Sequence, residues 1–170
     1  MAQDSVVYDL VLIVHVAVVV LGLAAVCATG WMAALAASSP PGAAKGGPEG
    51  PGRQDRAAAV ARFFAPRREI AGRLAYLAVP TGLVLAIGSG HAAWLRSSWV
   101  VGAGLCWAVS VLVAEAVLWP AAASIRRAIH GGGGSLGSAS RAAVAAACGV
   151  ALLYVAASAL MFAQPTRLAI

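Results

Sequence analysis

Charge is the scarcest commodity in this chain. Only 11% of its 170 residues are Asp, Glu, Lys or Arg, against about 25% in an ordinary soluble domain. So little charge cannot cover the surface of a water-soluble fold of this length. The apolar content of 61% departs in the same direction from the ~45–50% typical of such domains. Cysteine is sparse too. Cys27, Cys106 and Cys148 fall one to each of three apolar runs, with no CxxC or Cys–His spacing. That implies no disulfide framework and reads the three as small, polarisable helix-packing residues. Catalytic signatures are missing as well: there is no P-loop, HExxH, dinucleotide fingerprint or nucleophile–base pair. The run Gly131 to Gly134 lacks the lysine of a phosphate loop and reads as a linker. The chain is therefore expected to act without a catalytic or metal site of its own.

What the chain has in abundance is uninterrupted apolar sequence. From Leu10 to Ala37 no residue carries a formal charge, and a helix needs only ~20 such residues to cross the hydrocarbon. The segment before it carries Asp4 and Asp9 and no cation, the wrong front end for a secretory signal, so the run reads as a retained first span. Three more runs follow. The fold expected is all-α, a single integral membrane four-helix bundle, antiparallel, over residues 1–170, with spans near 6–37, 70–89, 98–122 and 142–163. Residues 38–53, rich in Gly and Pro, read as a disordered loop. Residues 54–69 mix Val60, Phe63 and Phe64 with Arg56, Arg62, Arg67 and Arg68, and read as a basic amphipathic segment lying at the interface. Pro80 predicts a kink in the second span, with Thr81 and Gly82 re-satisfying the backbone around it. In the fourth span Ala142, Ala146 and Gly149 are expected to admit a neighbouring backbone.

The net charge of +6 is distributed rather than clustered. Seven cations (Lys45, Arg53, Arg56, Arg62, Arg67, Arg68 and Arg73) lie between the first and second spans, and Arg126, Arg127 and Arg141 between the third and fourth. Only Arg96 and Arg167 lie on the other side. The positive-inside rule then places loops 38–69 and 123–141 in the cytoplasm and both termini outside. Cations in the joints between spans fit anionic inner-leaflet lipids, not nucleic acid. Trp94, Trp99 and Trp119, near the ends of runs, read as interface anchors.

Two intramembrane polar residues carry the chemical interest. Glu115 sits a few residues inside the cytosolic end of the third span, where a lone carboxylate costs several kcal/mol or takes up a proton. Arg73 enters from the same side, so an Arg73–Glu115 ion pair is expected, pinning two helices. Proton or ion handling by Glu115 is the sharper alternative. His15, a turn and a half into the first span, reads first as a neutral imidazole hydrogen-bonded across a helix interface, with Gly22 and Thr29 on the same face. Haem ligation, metal ligation and proton relay stay open beside it. His91 and His130 read as loop residues.

The layout resembles a bacterial family of predicted integral membrane proteins of unknown function. It is distantly similar to copper-resistance D-type proteins and membrane-bound protoporphyrinogen oxidases. The resemblance rests on Val14-His15-Val16, Pro80-Thr81-Gly82-Leu83, Trp99-Val100-Val101, Trp119-Pro120 and the closing Pro165, and covers all but Ser38 to Arg53. In the oxidases the first-span histidine is associated with haem, so the resemblance implies haem binding at His15. The chain departs from that pattern in keeping one glycine, Gly22, after the histidine and no opposing intramembrane His or Lys. Three functions are thus expected in order: an accessory protein working with a membrane partner or a second copy; a haem-linked redox protein using His15; and a small transporter or metal-permeation component using Glu115.

Overall fold

Residues with no polar group outside the backbone can enter lipid only if every N–H and C=O is paired within the segment, and a helix is the local solution. The computed structural model describes residues 2–38, 51–65, 73–88, 95–130 and 135–162, and its regular elements are helices throughout. Helix α1 runs Ala2–Ala37 and α2 Pro51–Phe63. A 3-10 turn over Leu74–Leu77 leads into α3, Ala78–Gly88. Helix α4, Ser98–Val113, passes through a π turn at Ala114–Leu118 into α5, Trp119–Ile129. Helix α6 spans Leu136–Phe162. Three stretches are long and apolar enough to cross a membrane: Val6–Ala37, Ser98–Ile129 and Leu136–Phe162. The 3-10 turn and α3 together form a shorter apolar helix, Leu74–Gly88.

Helix α6 is the central element, packing on α1 along one side and on α4, the π turn and α5 along the other. The 3-10 turn and α3 lie against α1. The inward stripe of α6 is Ser140, Ala143, Ala146, Ala147, Val150 and Tyr154, a 3–4 spacing that places one face against its neighbours. Small residues dominate that face because, without a hydrophobic drive between helices in lipid, close backbone approach supplies the packing energy. The stripe differs from the expected one. A Cβ on Gly149 would meet nothing within 4 Å, because that glycine faces away from the seam.

Several boundaries move. Residues 51–53 belong to α2, since Pro51 suits a helix's first turn, where no amide partner is lost. The rest of the expected 38–53 loop, 39–50, lies outside the described residues. Helix α2 turns Val60 and Phe64 (4% and 6% exposed) into the core cluster that also holds Ala33 and Ala36 of α1, while Arg56 and Arg62 stay outside. The apolar residues Val60 and Phe64 of the basic segment thus pack against α1. Pro120 does not end the third helix, which continues beyond residue 122 to Ile129. A proline ring collides with the carbonyl four residues back, and the widened π turn just before it relieves that collision. The amide of Trp119 accordingly bonds Ala114 O, five residues earlier. Helix α6 starts before residue 142 because Ser135 caps it: Ser138 N–H donates to Ser135 Oγ at 3.4 Å and Ala139 N–H to Ser135 O at 3.2 Å. The three cysteines are free thiols, but Cys27 and Cys148 are exposed, so they do not pack the bundle's own interior.

Candidate functional site

The 3-10 turn is where the polar side chains gather, and proline chemistry explains its shape. Pro80 has no N–H to give the Tyr76 carbonyl, so an ordinary α turn cannot close there. The chain instead tightens over Leu74–Leu77, with the Ala78 amide bonding Ala75 O, and becomes α-helical from Ala78. In 3-10 geometry residues three apart eclipse, which stacks Arg73 and Tyr76 on one side. On that side waits Glu115, in the π turn. Arg73 Nε donates to Glu115 Oε1 at 3.1 Å and Arg73 Nη2 to Oε2 at 3.3 Å, a forked contact. Tyr76 Oη donates to Glu115 Oε1 at 2.9 Å, and Trp119 Nε1 donates in turn to Tyr76 Oη at 2.8 Å. The chain of donors therefore ends on the Glu115 carboxyl, which accepts from both Arg73 and Tyr76. Arg73 and Glu115 are 49% and 44% exposed, so the pair lies at the bundle's edge.

The opposite side of the turn is buried. Ala75 is 2% exposed, and its carbonyl also takes Tyr154 Oη–H from α6 at 3.2 Å and Trp107 Nε1–H from α4 at 3.4 Å. Helix α1 reaches the same point through Gly22, where a Cβ would lie 2.5 Å from Ala75 Cβ and 2.7 Å from its Cα. One alanine thus touches all three long helices.

A turn further along, the Pro80-Thr81-Gly82 stretch receives His15. Its Nδ1 lies 2.9 Å from Thr81 Oγ1. Thr81 Oγ1 lies 2.7 Å from Leu77 O, its own carbonyl acceptor one turn back. A hydroxyl has one proton, so with that proton on Leu77 O the imidazole is the donor to Thr81. Gly82 makes the space: a Cβ there would come within 3.2 Å of His15 Cε1. Pairing His15→Phe with Thr81→Val should reveal a coupling of about 0.6 kcal/mol in a double-mutant cycle of unfolding in detergent. Strict additivity would mean that the contact contributes nothing.

The residues singled out in the sequence are distributed unevenly. Arg73 meets Glu115, and His15 meets Thr81. Trp119, expected at the interface, is 8% exposed and sits in the core cluster, because the π turn rotates it inward to the Tyr76 phenol. Trp99 is half-buried at the start of α4, and Trp94 and His91 lie outside the described residues. His130 is exposed just past α5. Among the described residues, no group of three His, Cys, Asp or Glu side chains comes together. For the haem implied at His15, the imidazole would offer Nε2, with Nδ1 held by Thr81 as the second nitrogen of a metal-ligating histidine commonly is. Tyr76 was not singled out in the sequence, although its i+3 spacing from Arg73 is a signal. Comparison with family models, curated proteins and solved structures returns no match.

Proposed function

We propose that this chain is a four-span, antiparallel bundle of a bacterial inner membrane that works as an accessory protein for a membrane partner or a second copy of itself, without turnover of its own. Leu74–Gly88 supplies the core of the second crossing. Both termini face outward, and the two cation-rich joints face the cytoplasm, where they meet anionic lipid. The observation that carries the reading is how the intramembrane polar groups are used. His15 is engaged by Thr81, and Glu115 by Arg73 and Tyr76, so each closes a helix–helix contact instead of lining a reaction chamber. Protein purified from its own membrane should be colourless and metal-free, and should show no flux in liposomes when alone. A Soret band that vanishes in His15→Ala would replace this reading with a haem-linked one.

One observation favours a second reading, ion handling at Glu115. The carboxylate sits in a π turn, a feature frequent at functional sites, and it is partly open to its surroundings. Proton or metal-ion flux into liposomes that Glu115→Gln abolishes would establish that function in place of the accessory one.

A further inference from the structure

A groove of about 450 Å³ opens between α5 and α6, away from the polar residues of the 3-10 turn. Its lining is divided by chemistry. One end is Ala116, Val117, Pro120, Ala121, Ala139 and Ala142; the other is Ser124, Arg127, Ser135 and Ser138. From Ala116 in the π turn to Arg127 on α5 the groove runs about 16 Å, enough to span the headgroup layer and the uppermost part of the acyl region. Arg127 Nη2 donates to Ser124 Oγ at 3.0 Å, and among the described residues no carboxylate neutralises the guanidinium. A cation with three hydroxyls beside it, below a wall of alanines and a proline, matches a molecule with one phosphate and an apolar tail. Basic pockets between membrane helices on the cytoplasmic side hold such headgroups.

We infer that this groove is a binding site for the phosphate headgroup and proximal acyl segment of an anionic phospholipid. Arg127 supplies the charge and Ser135 a hydroxyl donor, since the Ser124 and Ser138 hydroxyls already donate to Pro120 O and Ser135 O, and the Ala139–Ala142 wall receives the chain. The inference rests on the membrane reading above and narrows its general attraction to anionic lipid to one interhelical site. Phosphate is shared by lipid and by the free ion, and the apolar half of the lining selects the lipid.

The test uses the full chain in neutral detergent, titrated separately with short-chain phosphatidylglycerol, the matching phosphatidylcholine and inorganic phosphate, with bound lipid counted by native mass spectrometry. Phosphatidylglycerol should bind more tightly than phosphatidylcholine. Arg127→Gln should weaken it about fivefold, the size expected for one arginine near a lipid surface. Ala139→Leu, which keeps the charge and fills the wall, should weaken it as well. Arg56→Gln on α2 changes net charge equally and should leave binding unchanged. Equal retention of both lipids, equal loss in Arg56→Gln, or no loss in Arg127→Gln would overturn the site. Binding of inorganic phosphate that Ala139→Leu does not affect would replace the lipid with the free ion. The need for detergent to extract the protein is scored separately. A chain that stays soluble without detergent would sink the membrane reading itself, whereas an extracted chain indifferent to headgroup would sink only the groove.

Discussion

Gly22→Ala is expected to destabilise the protein by about 1–3 kcal/mol, the usual cost of forcing extra volume into a tight core, although it adds a single methyl group. The new Cβ would stand 2.5 Å from Ala75 Cβ, 2.7 Å from Ala75 Cα and 2.9 Å from its nitrogen. Two of those three atoms are backbone, so no rotamer change relieves the contact, and α1 must back away from the 3-10 turn. The effect should spread, because the turn also receives Tyr154 from α6 and Trp107 from α4 through the Ala75 carbonyl. The matched control is Gly149→Ala. It lies on α6 with open space around it, and replacing a helical glycine there should be neutral or stabilise by up to ~1 kcal/mol. Unfolding midpoints in one detergent measure both. If the two substitutions behave alike, helix propensity and not the α1–turn contact governs stability here.

The same contrast shows what can be read from a sequence whose surroundings are lipid. Three long apolar helices are legible because sheer apolar length and missing charge need no periodicity to be seen. The Arg73–Glu115 pairing is legible because two opposite charges entering from one side have few affordable partners in hydrocarbon. Which face of a helix points inward is much less visible. When solvent and core are both apolar, the period that marks a soluble helix fades, and residues such as Gly149, Cys27 and Cys148 look like packing residues while facing out. Trp119 fails for a related reason. Its place near the end of an apolar run fits an interface ring, and only the π turn that Pro120 accompanies rotates it into the core. The end of the third helix is misjudged through the same residue, since a proline normally stops a helix unless a wider turn precedes it. The His15 contact divides along these lines as well. A histidine in hydrocarbon demands a partner, but Thr81 becomes that partner only because Gly82 lets the ring approach.

Trp119→Ala should be the most damaging single truncation, at about 3–5 kcal/mol, since it empties the volume of a buried indole. Part of that loss is packing and part is the Nε1–H donated to Tyr76, and Trp119→Phe separates the two. Phenylalanine keeps most of the ring but has no donor, so its cost should approach the ~0.5–1.5 kcal/mol of a single hydrogen bond, plus the smaller void. Tyr76→Phe removes the acceptor of that bond together with the hydroxyl that holds Glu115 Oε1. If the indole orients the phenol, and the phenol the carboxylate, the two phenylalanine substitutions overlap, and the double variant costs less than their sum. The Arg73–Glu115 contact should then weaken in Trp119→Phe although neither charged residue is altered. A smaller coupling between Arg73→Gln and Glu115→Gln in the Trp119→Phe background than in the parent protein would register that. An unchanged coupling would mean that the ion pair holds itself, and that Trp119 serves the core alone.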